Sequence, residues 1–190
     1  MRDGDAAKRL GPVLVGLRGS GKSACAPLVA RALSMTAVDA DAELERQQGV
    51  SIEAIFSTPA EGGEARFREL ERVLLLDDLL QRPNIVLATG GGAVLDAEVR
   101  DALARRITIW LTAPVAVLAE RIAGSARPSL TGAPIEAELE QLARERAPLY
   151  REAASLQVDT SARDAERVAA LICAHYRERT THLQHQRHKH

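Results

Sequence analysis

One glycine-rich segment limits what this chain can fold into more than any other feature. Residues 16–23 read Gly-Leu-Arg-Gly-Ser-Gly-Lys-Ser, which fits the phosphate-loop pattern G-x-x-x-x-G-K-S/T. The apolar residues 12–17 predict a buried strand before this segment, and apolar residues at helical spacing over 23–33 predict a helix after it. A strand, a glycine-rich loop and a helix in this order predict an α/β fold that binds a phosphate group at the loop.

The loop residues have the chemistry that a nucleotide phosphate requires. Glycines let successive backbone N–H groups point at a phosphate, and the positive end of the following helix adds to the attraction. Lys22 would place its charge on the β- and γ-phosphates, and the Ser23 hydroxyl would coordinate Mg²⁺. The predicted ATP-binding residues of the loop are Gly19, Ser20, Gly21, Lys22, Ser23 and Ala24, of which Ala24 offers only its backbone N–H. The alternative is a turn that binds nothing, which the complete motif between a strand and a helix disfavours.

Composition narrows the class of protein further. The chain has 190 residues, of which 46% are hydrophobic and 27% charged, as in one globular domain with a core of its own. Its formal net charge of −1 argues against a general nucleic-acid or membrane-surface binder. We therefore expect neither nucleic acid nor a membrane as a partner. The short, charged start of the chain and two distant cysteines, Cys25 and Cys173, favour a cytoplasmic location.

Strand and helix patterns alternate along the rest of the chain. Short apolar runs predict four further strands, at residues 36–38, 85–88, 107–111 and 156–158. Helical patterns cover residues 41–48, 51–56, 64–80, 96–104, 114–122, 135–152 and 165–177, with an interruption expected at Pro148. This alternation predicts an α/β protein with a doubly wound, five-stranded parallel sheet that helices cover on both faces.

Two segments lack these patterns. Residues 123–134 contain glycines and prolines and predict a loop. Residues 180–190 are polar and hold four histidines, which favours a mobile tail. We therefore expect one domain over residues 1–179 and a tail over 180–190.

The position of the acidic residues bears on the kind of reaction. The third predicted strand is followed by Thr-Gly-Gly-Gly at 89–92, where many GTPases and motor ATPases carry an aspartate that binds Mg²⁺. Asp39 and Asp41 instead follow the second strand. This placement favours a small-molecule kinase, because a carboxylate can act as base toward an acceptor hydroxyl. The alternative is that both aspartates cap the helix that begins there.

Several further segments resemble the shikimate kinase family. The matching segments are D-A-D at 39–41, F-R-E-L-E at 67–71, G-G-G at 90–92, R-P-S-L at 127–130 and R-A-P-L-Y at 146–150. Together with the phosphate loop they follow the family's order over residues 12–175. The R-P-S-L segment departs from the more usual R-P-L-L.

The resemblance implies a fold and a reaction. The strand order would be 2-3-1-4-5, and the reaction would be Mg²⁺-dependent phosphoryl transfer from ATP to the 3-hydroxyl of shikimate. Lys22, Asp41 and Asp39 would be catalytic, and Asp41 would also hold shikimate hydroxyls and act as general base. Asp39 would lie near Mg²⁺ together with Ser23.

The resemblance also implies which residues bind the two substrates. Arg68 and Arg146 would bind the shikimate carboxylate, and the backbone of Gly91 would meet a ring hydroxyl. Arg127 would move with a lid over residues 123–134 onto the ATP phosphates, as a further catalytic residue.

Arg121 and Arg163 would border the adenine ring, and Arg163 rests on the loosest of the matches. A monomer is expected. The alternatives are a related small-molecule kinase, such as a gluconate or nucleoside monophosphate kinase, and a nucleotide-binding module without catalysis.

Overall fold

The computed structural model describes residues 9–57, 63–123 and 134–187, which form a five-stranded sheet flanked by helices. The strands are β1 Val13–Val15, β2 Thr36–Asp39, β3 Ile85–Ala88, β4 Thr108–Thr112 and β5 Leu156–Asp159. All neighbouring strands are parallel, in the order β2-β3-β1-β4-β5. The predicted doubly wound sheet and its strand order are therefore confirmed.

Eight α-helices lie among the described residues. They are α1 Lys22–Leu33, α2 Ala40–Gln48, α3 Ile52–Phe56, α4 Gly63–Leu74, α5 Ala97–Ala104, α6 Val115–Ile122, α7 Ile135–Ala153 and α8 Ala165–Arg187. Across these same residues, no helix combines the length and the apolar content that crossing a membrane requires.

Each face of the sheet has its own apolar core. Side chains alternate along a strand, so Val13 and Val15 of β1 face a core formed mainly with α2, α4, α5 and α7. Leu14 faces the opposite core, formed with α1 and α8. This burial on both faces explains why β1 and β3 are apolar at every position.

Helix starts follow from short polar side chains in the sequence. Asp39 caps α2, because its carboxylate accepts hydrogen bonds from the backbone N–H groups of Asp41 and Ala42. Ser51 and Asp96 cap α3 and α5 in the same way. The Asp39 cap starts α2 directly at the end of β2, and this brings Asp39 and Asp41 to the carboxyl edge of the sheet.

The predicted interruption at Pro148 is wrong, because α7 is continuous through this residue. Proline removes one backbone hydrogen bond from a helix. One face of α7 is nevertheless buried on both sides of the proline, at Leu142, Arg146, Tyr150 and Ala153. Tertiary packing therefore holds the helix where local propensity disfavours it.

The predicted helix over residues 64–80 divides into two parts. It is α-helical as far as Leu74 and continues as one π-helical turn over Leu75–Leu79. Leu75 and Leu79 are both fully buried in this turn. The wider turn thus serves core packing, which an amphipathic pattern does not distinguish from an ordinary α-helix.

The predicted end of the last helix at residue 177 is also wrong, because α8 continues to Arg187. No glycine or proline follows to stop it. The Thr180 hydroxyl donates to the Tyr176 carbonyl at 2.8 Å, and the Thr181 hydroxyl donates to the Arg177 carbonyl at 2.9 Å. Residues 180–187, expected as a tail, therefore continue the helix; residues 188–190 lie outside the described part.

Candidate active site

The phosphate loop connects β1 to α1 at the carboxyl end of the central strand. Gly16, Gly19 and Gly21 all have positive φ, at 142°, 78° and 94°. A Cβ atom on Gly16 would lie 2.2 Å from the Leu111 carbonyl oxygen, and one on Gly19 would lie 2.9 Å from that of Leu118. The loop therefore requires glycine at these positions to lie against β4 and α6.

Lys22, the first residue of α1, contacts the loop that precedes it. Its ammonium donates to the carbonyl oxygens of Gly16 at 2.7 Å and of Leu17 at 2.9 Å. The charge is thus held at the loop, where backbone N–H groups at the start of a helix favour an anion.

Ser23 and Asp39 lie together beside the loop. The Ser23 hydroxyl donates to Asp39 Oδ2 at 3.1 Å, while Oδ1 of the same carboxylate accepts from the Asp41 backbone N–H at 3.0 Å. Asp39 therefore caps α2, as one alternative from the sequence expected, and also contacts Ser23, while its role near Mg²⁺ stays a prediction. A hydroxyl and a carboxylate are the oxygen ligands that Mg²⁺ prefers, with water and phosphate completing its octahedron. In the described ranges, no group of three or more His, Cys, Asp or Glu could hold a metal by itself.

The three glycines after β3 provide space for charged side chains. A Cβ atom on Gly90 would lie 2.5 Å from Glu71 Oε1 and 2.8 Å from Asp41 Oδ1. One on Gly92 would lie 2.1 Å from Arg68 Nη1. Asp41, Glu71 and Arg68 therefore converge on this turn, here called the glycine turn (residues 90–92).

Glu71 is a site residue that sequence reasoning missed. Arg68 Nη1 donates to Glu71 Oε2 at 2.7 Å. Glu71 is buried, and this burial raises the pKa of its carboxyl, while the Arg68 guanidinium acts in the opposite direction. Its signals in the sequence were its place at the end of the F-R-E-L-E segment and its spacing three residues after Arg68, which more often marks a solvent-facing ion pair.

Arg146 and Tyr150 of α7 approach the glycine turn from the other side. Arg146 Nη1 donates to the Gly91 carbonyl at 2.9 Å, and the Tyr150 hydroxyl donates to the same oxygen at 2.6 Å. Among the described residues, the buried Nε atoms of Arg68 and Arg146 have no hydrogen-bond acceptor. Buried guanidinium donors of this kind suit a ligand carboxylate. Tyr150 was visible in the sequence only as part of the R-A-P-L-Y segment.

The glycine turn lies beside the phosphate loop, with room for about one methyl group between Gly91 and Gly16. A Cβ atom on Gly91 would lie 3.5 Å from the Gly16 carbonyl oxygen and 3.8 Å from the Arg18 backbone nitrogen. Arg18 itself donates to Oε1 of Glu138 at 3.0 Å, and Glu138 is buried in the first turn of α7. The structure thus places the predicted acceptor residues next to the predicted nucleotide residues. Sequence reasoning missed the Arg18–Glu138 ion pair, because the two residues are distant in the chain.

Arg121 and Arg163 lie on the β5 side of the phosphate loop. Arg121 donates to the Gly19 carbonyl at 3.2 Å and to the Thr160 hydroxyl at 2.9 Å. Arg163 is exposed and donates to the Asp159 carbonyl. Their assignment to the adenine ring stays a prediction. Arg127 and the predicted lid, apart from its end residues 123 and 134, lie outside the described residues.

Comparison with known proteins is consistent with this geometry. The family model described as shikimate kinase matches residues 18–177 of the chain. A shikimate kinase of Thermobifida fusca is 40% identical over 161 residues, which are 84% of this chain and 91% of that protein. A shikimate kinase of Halorhodospira halophila is 42% identical over 161 residues, which are 84% of this chain and 89% of that protein.

Solved structures give the same result. A shikimate kinase from Acinetobacter baumannii in complex with shikimate is 36% identical, with a TM-score of 0.80 that covers 86% of this chain and 90% of that one. A shikimate kinase from Aquifex aeolicus is 31% identical with a TM-score of 0.73, covering 89% of this chain and 97% of that one. A gluconokinase from Sinorhizobium meliloti, at 16% identity and a TM-score of 0.56, shares the fold alone. The phosphate loop, the glycine turn with its arginines and the similarity over most of the chain lead to one conclusion: this chain belongs to the shikimate kinase family.

Proposed function

We propose that the chain transfers the γ-phosphoryl group of ATP to the 3-hydroxyl of shikimate, giving shikimate 3-phosphate and ADP. The observation that carries this proposal is the convergence of Arg68 and Arg146 on a glycine turn that lies beside the phosphate loop. Two guanidinium groups there suit an acceptor with a carboxylate, because planar guanidinium binds carboxylate through paired hydrogen bonds. Relatives that share about 40% of their residues with the chain are named for this activity.

Positioning and charge neutralisation would supply most of the rate, because phosphoryl transfer needs little covalent chemistry from the protein. The loop N–H groups and Lys22 would hold the β- and γ-phosphates. Asp41, whose carboxylate lies beside Gly90, would orient the acceptor hydroxyl and take its proton. Arg68 and Arg146 would fix the acceptor by its carboxylate, so that this hydroxyl faces the phosphate loop.

Ser23 and Asp39 would hold Mg²⁺, since their oxygens lie together beside the loop. When bound, the ion would neutralise charge on the β- and γ-phosphate oxygens. If so, Asp39→Asn should raise the Mg²⁺ concentration needed for half-maximal turnover, with a smaller effect on the KM for shikimate. The measurement is a Mg²⁺ titration at saturating ATP and shikimate. An unchanged Mg²⁺ requirement would remove Asp39 from the metal site.

A coupled assay of ADP release tests the function directly. The acceptor panel contains shikimate, quinate, gluconate and nucleoside monophosphates, each tested with ATP and Mg²⁺. We expect turnover with shikimate to exceed that with every other acceptor by orders of magnitude. A preference for gluconate or for a nucleotide would replace the proposed acceptor, and ATP binding without turnover on any acceptor would indicate a binding module.

We also propose that the protein acts as a monomer in the cytoplasm. Both cysteines are free thiols in the core, as suits a reducing compartment. Sedimentation of the protein with and without substrates checks the oligomeric state.

A further inference from the structure

A buried aromatic pair lies behind the glycine turn. The rings of Trp110 on β4 and Tyr150 on α7 stack with their centroids 5.6 Å apart and an angle of 25° between planes. Tyr150 is only 1% exposed. The stack leaves the Tyr150 hydroxyl pointing at one acceptor, the Gly91 carbonyl oxygen, at 2.6 Å.

Arg146 donates to the same oxygen at 2.9 Å. Residues 146 and 150 are four positions apart on α7, so they share a face of the helix and reach the same point. A carbonyl oxygen has two lone pairs, and the two donors together occupy both. The location of this oxygen therefore decides where one N–H of the Arg146 guanidinium is held.

The Tyr150 hydroxyl is a permanent donor in this arrangement. Burial raises its pKa above the ordinary value for tyrosine, so the hydroxyl is protonated and can donate at neutral pH. The hydrogen bond to Gly91 is thus independent of pH near neutrality.

We propose that Tyr150 is a positioning residue for acceptor binding: it fixes the Gly91 carbonyl and, through it, the Arg146 guanidinium. Tyr150 acts without touching the acceptor itself. The inference rests on the proposed function, since it takes Arg146 as a ligand of the acceptor carboxylate. It adds a residue whose contribution is made behind the site, at the Gly91 oxygen and beside the Arg146 guanidinium.

The test replaces tyrosine by phenylalanine at two buried positions. Tyr150→Phe removes the hydroxyl and keeps the ring on Trp110. Tyr176→Phe is the matched control, because Tyr176 is 2% exposed and its hydroxyl donates to the Leu10 carbonyl at 3.2 Å in the opposite core. Loss of one hydrogen bond that orients a ligand should raise the KM and Kd for shikimate about 3- to 10-fold in Tyr150→Phe. In Tyr150→Phe, the KM for ATP and kcat should stay within about 2-fold of wild type. Tyr176→Phe should lower the melting temperature and leave the kinetic constants for both substrates unchanged.

A double variant then asks whether Tyr150 acts through Arg146. In an Arg146→Ala background, adding Tyr150→Phe should change the shikimate Kd much less than it does in the wild type. Unchanged shikimate binding in Tyr150→Phe, or full additivity of the two effects, would overturn the inference. Either result would leave the proposed function intact, because that function fails only if the wild-type protein does not phosphorylate shikimate.

Discussion

Arg68 and Arg146 together determine which acceptors the site can hold. They reach the glycine turn from α4 and α7, on opposite sides, and both are largely withdrawn from water. A hydrogen bond to a charged group contributes ~1.5–3 kcal/mol, so Arg68→Ala and Arg146→Ala should each weaken shikimate binding about 10- to 150-fold. ATP affinity should barely change. Separate calorimetric titrations with shikimate and with ATP measure both effects.

Arg72 provides the control for this prediction. It lies on the same helix as Arg68, but it forms ion pairs with Glu69 and Glu98 instead of contacting the glycine turn. Arg72→Ala should therefore leave the shikimate affinity unchanged. Equal losses in all three variants would indicate general damage to α4 and α7 and would count against the carboxylate assignment.

Lys22 should matter to turnover far more than to folding. Its ammonium lies against the loop carbonyls of Gly16 and Leu17 and contributes nothing to either apolar core. Loss of a charge that stabilises the transferred phosphoryl group should lower kcat of Lys22→Met by at least about 100-fold. Thermal unfolding should stay close to wild type. Near-normal turnover in this variant would contradict the assignment of the phosphate loop.

At the residue scale, the sequence predicted the functional residues that belong to a motif. It did not predict the buried glutamates that form ion pairs with the arginines of the site. Ser23 and Asp39, placed together in advance, are hydrogen-bonded in the structure. Glu71 and Glu138 were missed because a glutamate on an amphipathic helix ordinarily faces water. Their burial results from contacts with Arg68 and Arg18, and only the folded arrangement shows that these contacts exist.

Among the elements, α2 is connected to the rest of the molecule through Glu43. This carboxylate accepts hydrogen bonds from Arg46 on its own helix and from Arg82 just before β3. The Arg46 hydrogen bond is the main cause that lowers the pKa of Glu43 to about 2, and the Arg82 hydrogen bond adds to it. The ionised Glu43 therefore links α2 to Arg82, in addition to the packing of Ala40 and Leu44, and this link is lost when the carboxyl is protonated.

The lowered pKa predicts how stability depends on pH. A carboxyl with a lower pKa in the folded state stabilises the protein above its ordinary pKa of 4.5, and this contribution is lost as the pH falls toward 2. Glu43→Gln should thus cost about 1 to 2 kcal/mol at pH 7 and progressively less below pH 4.5. Urea unfolding from pH 7 to pH 3 measures this, with exposed Glu53→Gln as control. A parallel offset at all pH values would contradict the prediction.

Strand positions could be predicted closely, because each strand is a short run with apolar residues, and β1 and β3 are apolar at every position. The interiors of the helices were harder to predict from the sequence. Pro148 predicts a break from its local helix propensity, yet α7 is continuous there because one of its faces is buried on both sides of the proline. The π-helical turn at Leu75–Leu79 could not be predicted either. The spacing of apolar residues shows which face of a helix is buried, but it does not distinguish a π-helical turn from an α-helical one.

At the scale of the whole molecule, the end of α8 extends past the core. Tyr176 is a core residue of this helix, and among the later side chains that the structure describes, Thr181, His182 and His185 are exposed. A chain that ends at Arg179 should keep its turnover and a melting temperature within about 2 °C of the full chain. A chain that ends at His175 is the control and should melt clearly lower, because it loses Tyr176. A large drop in the first variant would show that residues 180–190 stabilise the domain.

The three glycines after β3 differ in what a methyl group would do to them. At Gly90 and Gly92 it would collide with the carboxylates of Glu71 and Asp41 or with the Arg68 guanidinium. At Gly91 it would make ordinary contacts, 3.5 Å from the Gly16 carbonyl and 3.7 Å from Arg146 Nη1. Alanine at position 91 is therefore sterically compatible with the fold. Packing alone leaves this position open to a side chain, and the bare main chain keeps that space free between the phosphate loop and the Arg146 guanidinium.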